Sequence, residues 1–278
     1  MAKTDYAELP DRTRVPILYE DRSVLALDKP PGWVLGPDDE ERSRHNLHLA
    51  LTEGIEEAAF WARSRNLRFL RFVHRLDGPT SGVLLCAKAV GGIRPYSELF
   101  ANRTVEKAYF AIAEGIPRET QWTCRLALGP DPTQWGRHRV DEAGGKPAET
   151  EFRVIATNGT RALIEARPHT GRTHQIRLHL LAAGCPVVGD EMYGRHDRLG
   201  LGLRSVLLAY RDPFTGRPVR IRAPTEVWCA HFGFRREPPM VPPAAAPTSA
   251  SPVAAKPPAG GKGSAPGKGS SPRPRPGR

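Results

Sequence analysis

Among the carboxylates of this chain, Asp77 is the one whose surroundings suggest chemistry. It lies in the run Val73-His74-Arg75-Leu76-Asp77-Gly78-Pro79-Thr80-Ser81-Gly82, just before the apolar stretch Val83-Leu84-Leu85-Cys86-Ala87. The run is a turn dense in Gly, Pro and hydroxyl residues, with an arginine two places before the acid. A turn that feeds a buried strand needs internal partners for its backbone groups, and the hydroxyls of Thr80 and Ser81 are expected to supply them. An aspartate titrates near about 3.9 and a nearby guanidinium lowers that value, so Asp77 reads as an ionised carboxylate able to act as a nucleophile at neutral pH. The plainer alternative is a turn aspartate bonded to its own backbone, and this run alone weighs the two about evenly.

Four further segments change that balance. They are Leu27-Asp28-Lys29-Pro30-Pro31-Gly32, the stretch Glu106-Lys107-Ala108-Tyr109-Phe110-Ala111-Ile112-Ala113-Glu114-Gly115, the run Gly145-Lys146-Pro147-Ala148-Glu149-Thr150, and Pro168-His169-Thr170-Gly171-Arg172-Thr173-His174-Gln175-Ile176-Arg177-Leu178-His179-Leu180, followed by Gly189-Asp190 and Tyr193-Gly194. Together with the Asp77 run, and in this order, they resemble the motifs of the RluA-type pseudouridine synthases, which isomerise uridine in ribosomal or transfer RNA. The resemblance spans residues 15–230. It implies the α+β pseudouridine synthase catalytic fold and an isomerase acting on structured RNA, rRNA or tRNA, with no cofactor and no metal.

The resemblance also implies roles. Breaking the N1–C1′ bond of uridine and rejoining the base through C5 needs a carboxylate beside the nucleoside, a pocket that retains the freed base, and extraction of that base from its stack. Asp77 is the expected carboxylate, whether it attacks C6 of the base, attacks C1′ of the ribose or assists proton loss at C2′. Tyr109 is the expected active-site aromatic, a ring for the flipped uracil with a hydroxyl for proton transfer at C5. Arg177 is the expected partner of Asp77, keeping it ionised and fixing its rotamer. Arg75, Arg172, His174 and Gln175 are expected to contact RNA, Arg172 by receiving a phosphate near a helix N-terminus. The residue-level alternatives are a strand tyrosine filling the sheet surface and solvated helix arginines. His174 and His179, five apart and without a carboxylate cluster, do not have metal-ligand spacing. Arg63, Arg65, Arg68 and Arg71 form a basic stretch that either lines the RNA path or faces solvent. Some positions depart from the family pattern: Trp33-Val34-Leu35-Gly36-Pro37 in the stretch where a His-Pro pair is usual, Leu207-Leu208-Ala209 where a His-Ala pair is usual, and Gly91-Gly92-Ile93-Arg94-Pro95 inside an expected helix.

The elements that must position these groups follow from periodicity. Ile17–Tyr19 and Val24–Leu27 read as strands around a polar turn, as do 108–113, 150–156 and 161–166, the last two joined at Asn158-Gly159. Leu47, Leu51, Ile55, Ala58 and Ala62 fall at helical spacing and predict one amphipathic helix weakened by Gly54. A second helix is predicted from Thr173, as N-cap, to Ala183, with Gly184 to stop it. Strands and helices do not alternate, which argues against a Rossmann or barrel layout and for a mixed, mostly antiparallel sheet flanked by helices.

Composition sets the outer limits. The chain has 278 residues and a formal charge of +11, which points to a polyanionic partner. Six of those positive charges lie in 241–278, which holds no Asp or Glu, leaving about five for the rest. Residues 1–14 read as an N-terminal extension, 15–237 as the catalytic domain, and 238–278 as a disordered Pro/Ala/Gly/Ser-rich basic tail that adds weak phosphate affinity, so that truncation after Pro238 lowers RNA binding mainly at low salt. The four scattered cysteines carry no C-x-x-C pair, and no apolar stretch reaches membrane-spanning length. A cytoplasmic monomer is expected. A hydrolase built on Ser81 lacks the G-x-S-x-G elbow, and an aspartic protease lacks a second Asp-Thr/Ser-Gly run. The remaining rival is a noncatalytic RNA-binding or ribosome-assembly protein that keeps the fold.

Overall fold

The computed structural model describes residues 3–36 and 45–234. The elements, in chain order, are β1 (Tyr6–Glu8), β2 (Arg14–Glu20), β3 (Val24–Lys29), α1 (Leu47–Glu56), α2 (Phe60–Arg63), β4 (Arg71–Phe72), β5 (Ser81–Ala87), α3 (Val90–Ala101), β6 (Glu106–Glu114), β7 (Gln121–Cys124), β8 (Leu128–Pro130), β9 (His138–Val140), β10 (Thr150–Asn158), β11 (Arg161–Pro168), α4 (Gln175–Ala182), β12 (Leu203–Arg211), β13 (Pro218–Arg222) and α5 (Glu226–His231). One sheet runs β1-β2-β3-β5-β12-β6-β11-β10-β7, with β13 on β12 and β4 on β5, while β8 and β9 form a separate ribbon. Every pairing is antiparallel except that of β5 with β12. This is the mixed, mostly antiparallel α+β layout expected from the sequence. The predicted tail, 238–278, lies outside the described residues.

The strand period of two builds the core on both faces. In β3, Leu25 and Leu27 pack with α1 and α2 through Leu47, Leu51 and Trp61, whereas Val24 and Ala26 pack on the other face with Tyr96 of α3. Farther along the sheet, Ala111, Ile164 and Ala166 receive Ile176 and Leu180 of α4. All seven residues of β5 are buried, so the strand that follows the Asp77 turn is anchored on both sides. At the parallel seam, Ser81 pairs with Arg204 and Gly82 with Ser205. Gly82 has φ +108°, and a Cβ there would lie 2.0 Å from the Ser205 carbonyl oxygen. Only glycine lets the two strands approach so closely.

Several expectations need correction. Part of the expected N-terminal extension, 1–14, belongs to the folded sheet: β1 pairs with β2, and Ala7 and Leu9 are buried in the core. The helix predicted across 47–62 is two helices. α1 is capped by Asn46, whose Oδ1 accepts from the backbone N–H of His48 (3.0 Å) and Leu49 (3.2 Å), and the chain breaks at Ala58, which has φ +52°. Gly54 has a packing role, since a Cβ there would lie 3.1 Å from the Trp61 indole nitrogen. α3 forms despite Gly91, Gly92 and Pro95, pinned by the fully buried Tyr96, whose hydroxyl donates to Asp212. The second predicted helix starts at Gln175 rather than after Thr173, with His174 as a left-handed N-cap, while Gly184 stops it at φ +74° as anticipated.

Candidate active site

The turn carrying Asp77 bridges β4 and β5, and a buried lysine braces it from beneath. Lys29, at the end of β3 and 0 % exposed, donates from Nζ to the carbonyl oxygens of Gly78 (2.7 Å), Thr80 (2.8 Å) and Pro30 (3.1 Å). Three carbonyls match the three N–H groups of an ammonium. Burial pulls the Lys29 pKa down to about 7, against the Asp77 charge, which raises it. The Thr80 N–H closes the turn on the Asp77 carbonyl at 3.0 Å. The hydroxyl bracing expected from Thr80 is absent: its buried Oγ1 has no partner. Ser81 instead meets the Arg204 guanidinium at 3.3 Å. His74 fixes the turn's other end, its Nε2 accepting the Leu85 N–H at 2.9 Å while its ring stacks on Phe100. Burial lowers its pKa to about 4, so it is a neutral structural residue.

α4 delivers the cation. Arg177 is 4 % exposed and holds Asp190 in a bidentate pair, Nε to Oδ2 at 2.8 Å and Nη2 to Oδ1 at 2.7 Å. Its remaining nitrogen, Nη1, reaches Asp77 Oδ2 at 3.4 Å. Burial works against the Arg177 charge, but the hydrogen bonds and charges of Asp190 and Asp77 outweigh it and raise its pKa. Asp190 Oδ1 also accepts the N–H groups of Met192 and Tyr193, both at 3.1 Å. The guanidinium lies over the Tyr193 ring, 5.0 Å from its centroid. His174 faces the same carboxylate, with Nε2 3.9 Å from Asp77 Oδ2. Burial, with Arg177 and His138 nearby, lowers its pKa to about 4 against Asp77 and Asp190, which leaves a neutral imidazole.

Tyr109 of β6 completes the wall. Burial first, and the Asp77 charge second, push its phenol up to about 12 against a hydrogen bond with Ser205, so it keeps its proton at neutral pH. Asp77, Tyr109 and Arg177 line one cleft of about 410 Å³, within the range of small-molecule sites. Arg75, Arg172, His174 and Gln175 line it too. Arg75 is exposed at the rim. Arg172 is half-buried and donates to the Pro147 carbonyl at 3.0 Å. Gln175 departs from its expected RNA contact: it is 4 % exposed, its Oε1 accepts from Thr170 and the Arg172 N–H, and its Nε2 donates to Glu149 O and Thr150 Oγ1. The amide is used up inside the protein. His179 is likewise internal, bonded to Thr150 and the Leu126 carbonyl. Of the basic stretch, Arg65 is buried against Glu20 at 3.0 Å and faces neither RNA nor solvent.

Sequence reasoning assigned no role to Asp190, Tyr193 or Lys29, although all three stand in quoted motifs. A signal for Asp190 existed: an arginine among Ile176, Leu178 and Leu180 must meet a carboxylate if it is buried. Among the described residues no cluster of His, Cys, Asp and Glu could hold a metal ion, and no helix is long and apolar enough to cross a membrane.

Comparison with known proteins places the chain in a family. The profile of a family described as RNA pseudouridylate synthase matches residues 23–182. The chain is 34% identical over 223 residues to ribosomal large subunit pseudouridine synthase C of Salmonella typhimurium, covering 76% of this chain and 66% of that protein. It is 36% identical over 226 residues to the protein of the same name from Pasteurella multocida, covering 76% and 64%. It thus spans just under two thirds of the length of these relatives. Human RNA pseudouridylate synthase domain containing 1 superposes with a TM-score of 0.60 at 28% identity, over 76% of this chain and 83% of that one. Human RNA pseudouridylate synthase domain containing 4 shares the fold, with a TM-score of 0.61 at 22% identity over 77% and 90%.

Proposed function

Because the chain belongs to the RNA pseudouridylate synthase family, we propose that it isomerises uridine to pseudouridine in structured RNA, with Asp77 as the acting carboxylate. The observation that carries this reading is the pairing of Asp77 Oδ2 with Arg177 in a cleft that also holds Tyr109. The reaction breaks N1–C1′ and forms C5–C1′ within one nucleotide. C5 loses a proton and N1 gains one, so atoms and electrons balance without a co-substrate. Asp77, paired with the Arg177 guanidinium, lies beside the space a flipped nucleoside would fill. The protonated Tyr109 offers a ring to stack on the base and a hydroxyl to carry the C5 proton. Arg75 at the rim and Arg172 deeper in the cleft are placed to take up phosphates.

Large-subunit ribosomal RNA is the first substrate to test, because the bacterial relatives are named for it; transfer RNA is the second. The protein is proposed to act as a monomer in the cytoplasm. The test is to incubate the full chain with transcripts lacking pseudouridine and to score the isomer by mass spectrometry, in parallel with Asp77→Ala. Wild type should convert defined sites, and the variant should lose turnover by on the order of 10³-fold or more while still binding RNA. Pseudouridine formation by the variant at the wild-type rate would remove Asp77 from the chemistry. Binding without conversion by wild type would favour the noncatalytic reading.

A further inference from the structure

The two oxygens of Asp77 are not equivalent. Both groups that reach its carboxylate, Arg177 Nη1 at 3.4 Å and His174 Nε2 at 3.9 Å, address Oδ2. What His174 does there depends on which of its nitrogens carries the proton, and Tyr193 decides it. The backbone N–H of His138 donates to the Tyr193 hydroxyl oxygen at 2.8 Å. That hydroxyl also lies 2.8 Å from His174 Nδ1.

Two arrangements fit these distances. If Nδ1 bore the proton, the Tyr193 oxygen would accept twice, its own proton would find none of the described acceptors, and the bare lone pair of Nε2 would face an anionic oxygen. If Nε2 bears the proton, Tyr193 donates to Nδ1 and accepts from His138, and the Nε2–H dipole points its positive end at Asp77. The Tyr193 hydroxyl then both donates and accepts, and the charge of Asp77 faces the positive end of the Nε2–H dipole.

Two further features hold the two side chains in place. His174 sits at φ +56°, a left-handed conformation uncommon for a residue with a side chain, at the N-cap of α4, where its side chain makes no capping bond. Its carbonyl accepts the Leu178 N–H at 3.0 Å, the first bond of α4, so the helix start fixes where the imidazole leaves the backbone. Tyr193 is itself held: its N–H is bonded to Asp190, and two guanidinium groups lie over its ring, Arg177 at 5.0 Å and Arg137 at 5.1 Å from the centroid.

We infer that Tyr193 locks His174 in its Nε2–H tautomer, so that the imidazole and Arg177 together hold Oδ2 of Asp77 and leave Oδ1 as the oxygen presented to the nucleoside. His174 and Tyr193 are positioning residues in this arrangement. The 3.9 Å gap is longer than a hydrogen bond, and it closes when the filled cleft draws the groups together, as contacts in unliganded sites commonly do. The groups facing the imidazole are Asp77, Arg177, His138 and Asp190. The inference rests on the catalytic reading of Asp77 for its consequence, though not for the tautomer.

The test has two arms. In the full-length protein labelled with 15N-histidine, His174 should show a protonated Nε2 and a bare Nδ1 at neutral pH, and Tyr193→Phe, which keeps the ring, should mix the tautomers. On saturating RNA, His174→Leu should lower kcat by about ten-fold, the loss expected for one hydrogen bond, with KM unchanged. His174→Gln places an amide N–H where Nε2 stood and should recover most of that loss. A proton found on Nδ1 overturns the lock. Equal damage in the Leu and Gln variants, with melting temperatures matched, or no damage in either, overturns the hold on Oδ2. Failure of wild type to make pseudouridine would overturn the catalytic reading instead and leave the NMR arm to judge the tautomer.

Discussion

The floor and the rim of the cleft are built on opposite terms. On the floor, Arg177, Asp190 and Lys29 are each at most 4 % exposed, and each is tied by two or more hydrogen bonds to groups from other elements. At the rim, Arg75 and Arg103 are exposed, and the nearby β8–β9 ribbon carries Trp135, which is 96 % exposed. The floor has the preorganisation that bond-making demands, since charges fixed before the substrate arrives need no reorganisation during the reaction. The rim keeps long cations in water, where phosphate contacts supply affinity without fixing geometry.

Breaking the floor should therefore cost far more than trimming the rim. The largest effect is expected for Asp190→Asn, which leaves the buried Arg177 without its anionic partner. Thermal denaturation should show a loss of about 3–5 kcal/mol, the range for an orphaned buried charge, and turnover should fall even at temperatures where the variant is folded. Lys29→Met comes next. It keeps the stem and removes the ammonium that gathers three carbonyls, so stability should drop by roughly 1–3 kcal/mol, with kcat falling more than KM rises. Unchanged stability would mean that the turn stands without its brace. At the rim, Arg75→Ala should raise KM several-fold and flatten its salt dependence with little change in kcat, the reverse of the floor pattern. The smallest expected effect is none. Tyr109 stays protonated up to about pH 12 and His174 stays neutral down to about pH 4, so kcat between pH 6 and 9 should show no limb from either group. A limb in that window that disappears in Tyr109→Phe would show that the phenol ionises during turnover.

The sequence was most informative where chemistry and local pattern coincide. Asp77, Tyr109 and Arg177 line one cleft, and the 150–168 hairpin forms as expected, though its turn is Gly159-Thr160, one residue later than predicted, between the paired Asn158 and Arg161. It was least informative where a residue's role depends on a distant partner. Gln175 follows a histidine at a helix start and reads as an outward polar residue, yet it closes on Glu149 and Thr150, a strand away. Lys29 ends an apolar strand with no local sign of a partner, but the Asp77 turn, some fifty residues later, folds over it. Tyr6–Glu8 is too short to show a period, and only its pairing with β2 makes it a strand. No local pattern encodes these facts, because the stabilising partner is supplied by tertiary structure.

The seam at Gly82 has a consequence for how this protein is made. Asp77 is 100 residues ahead of Arg177, and Gly82 is seated by Ser205, farther along still. At about 5–20 residues per second, the acid leaves the ribosome roughly ten seconds before the strand that clamps its turn. A nascent chain thus carries its carboxylate out well before the guanidinium that pairs with it and the strand that clamps its turn have been made.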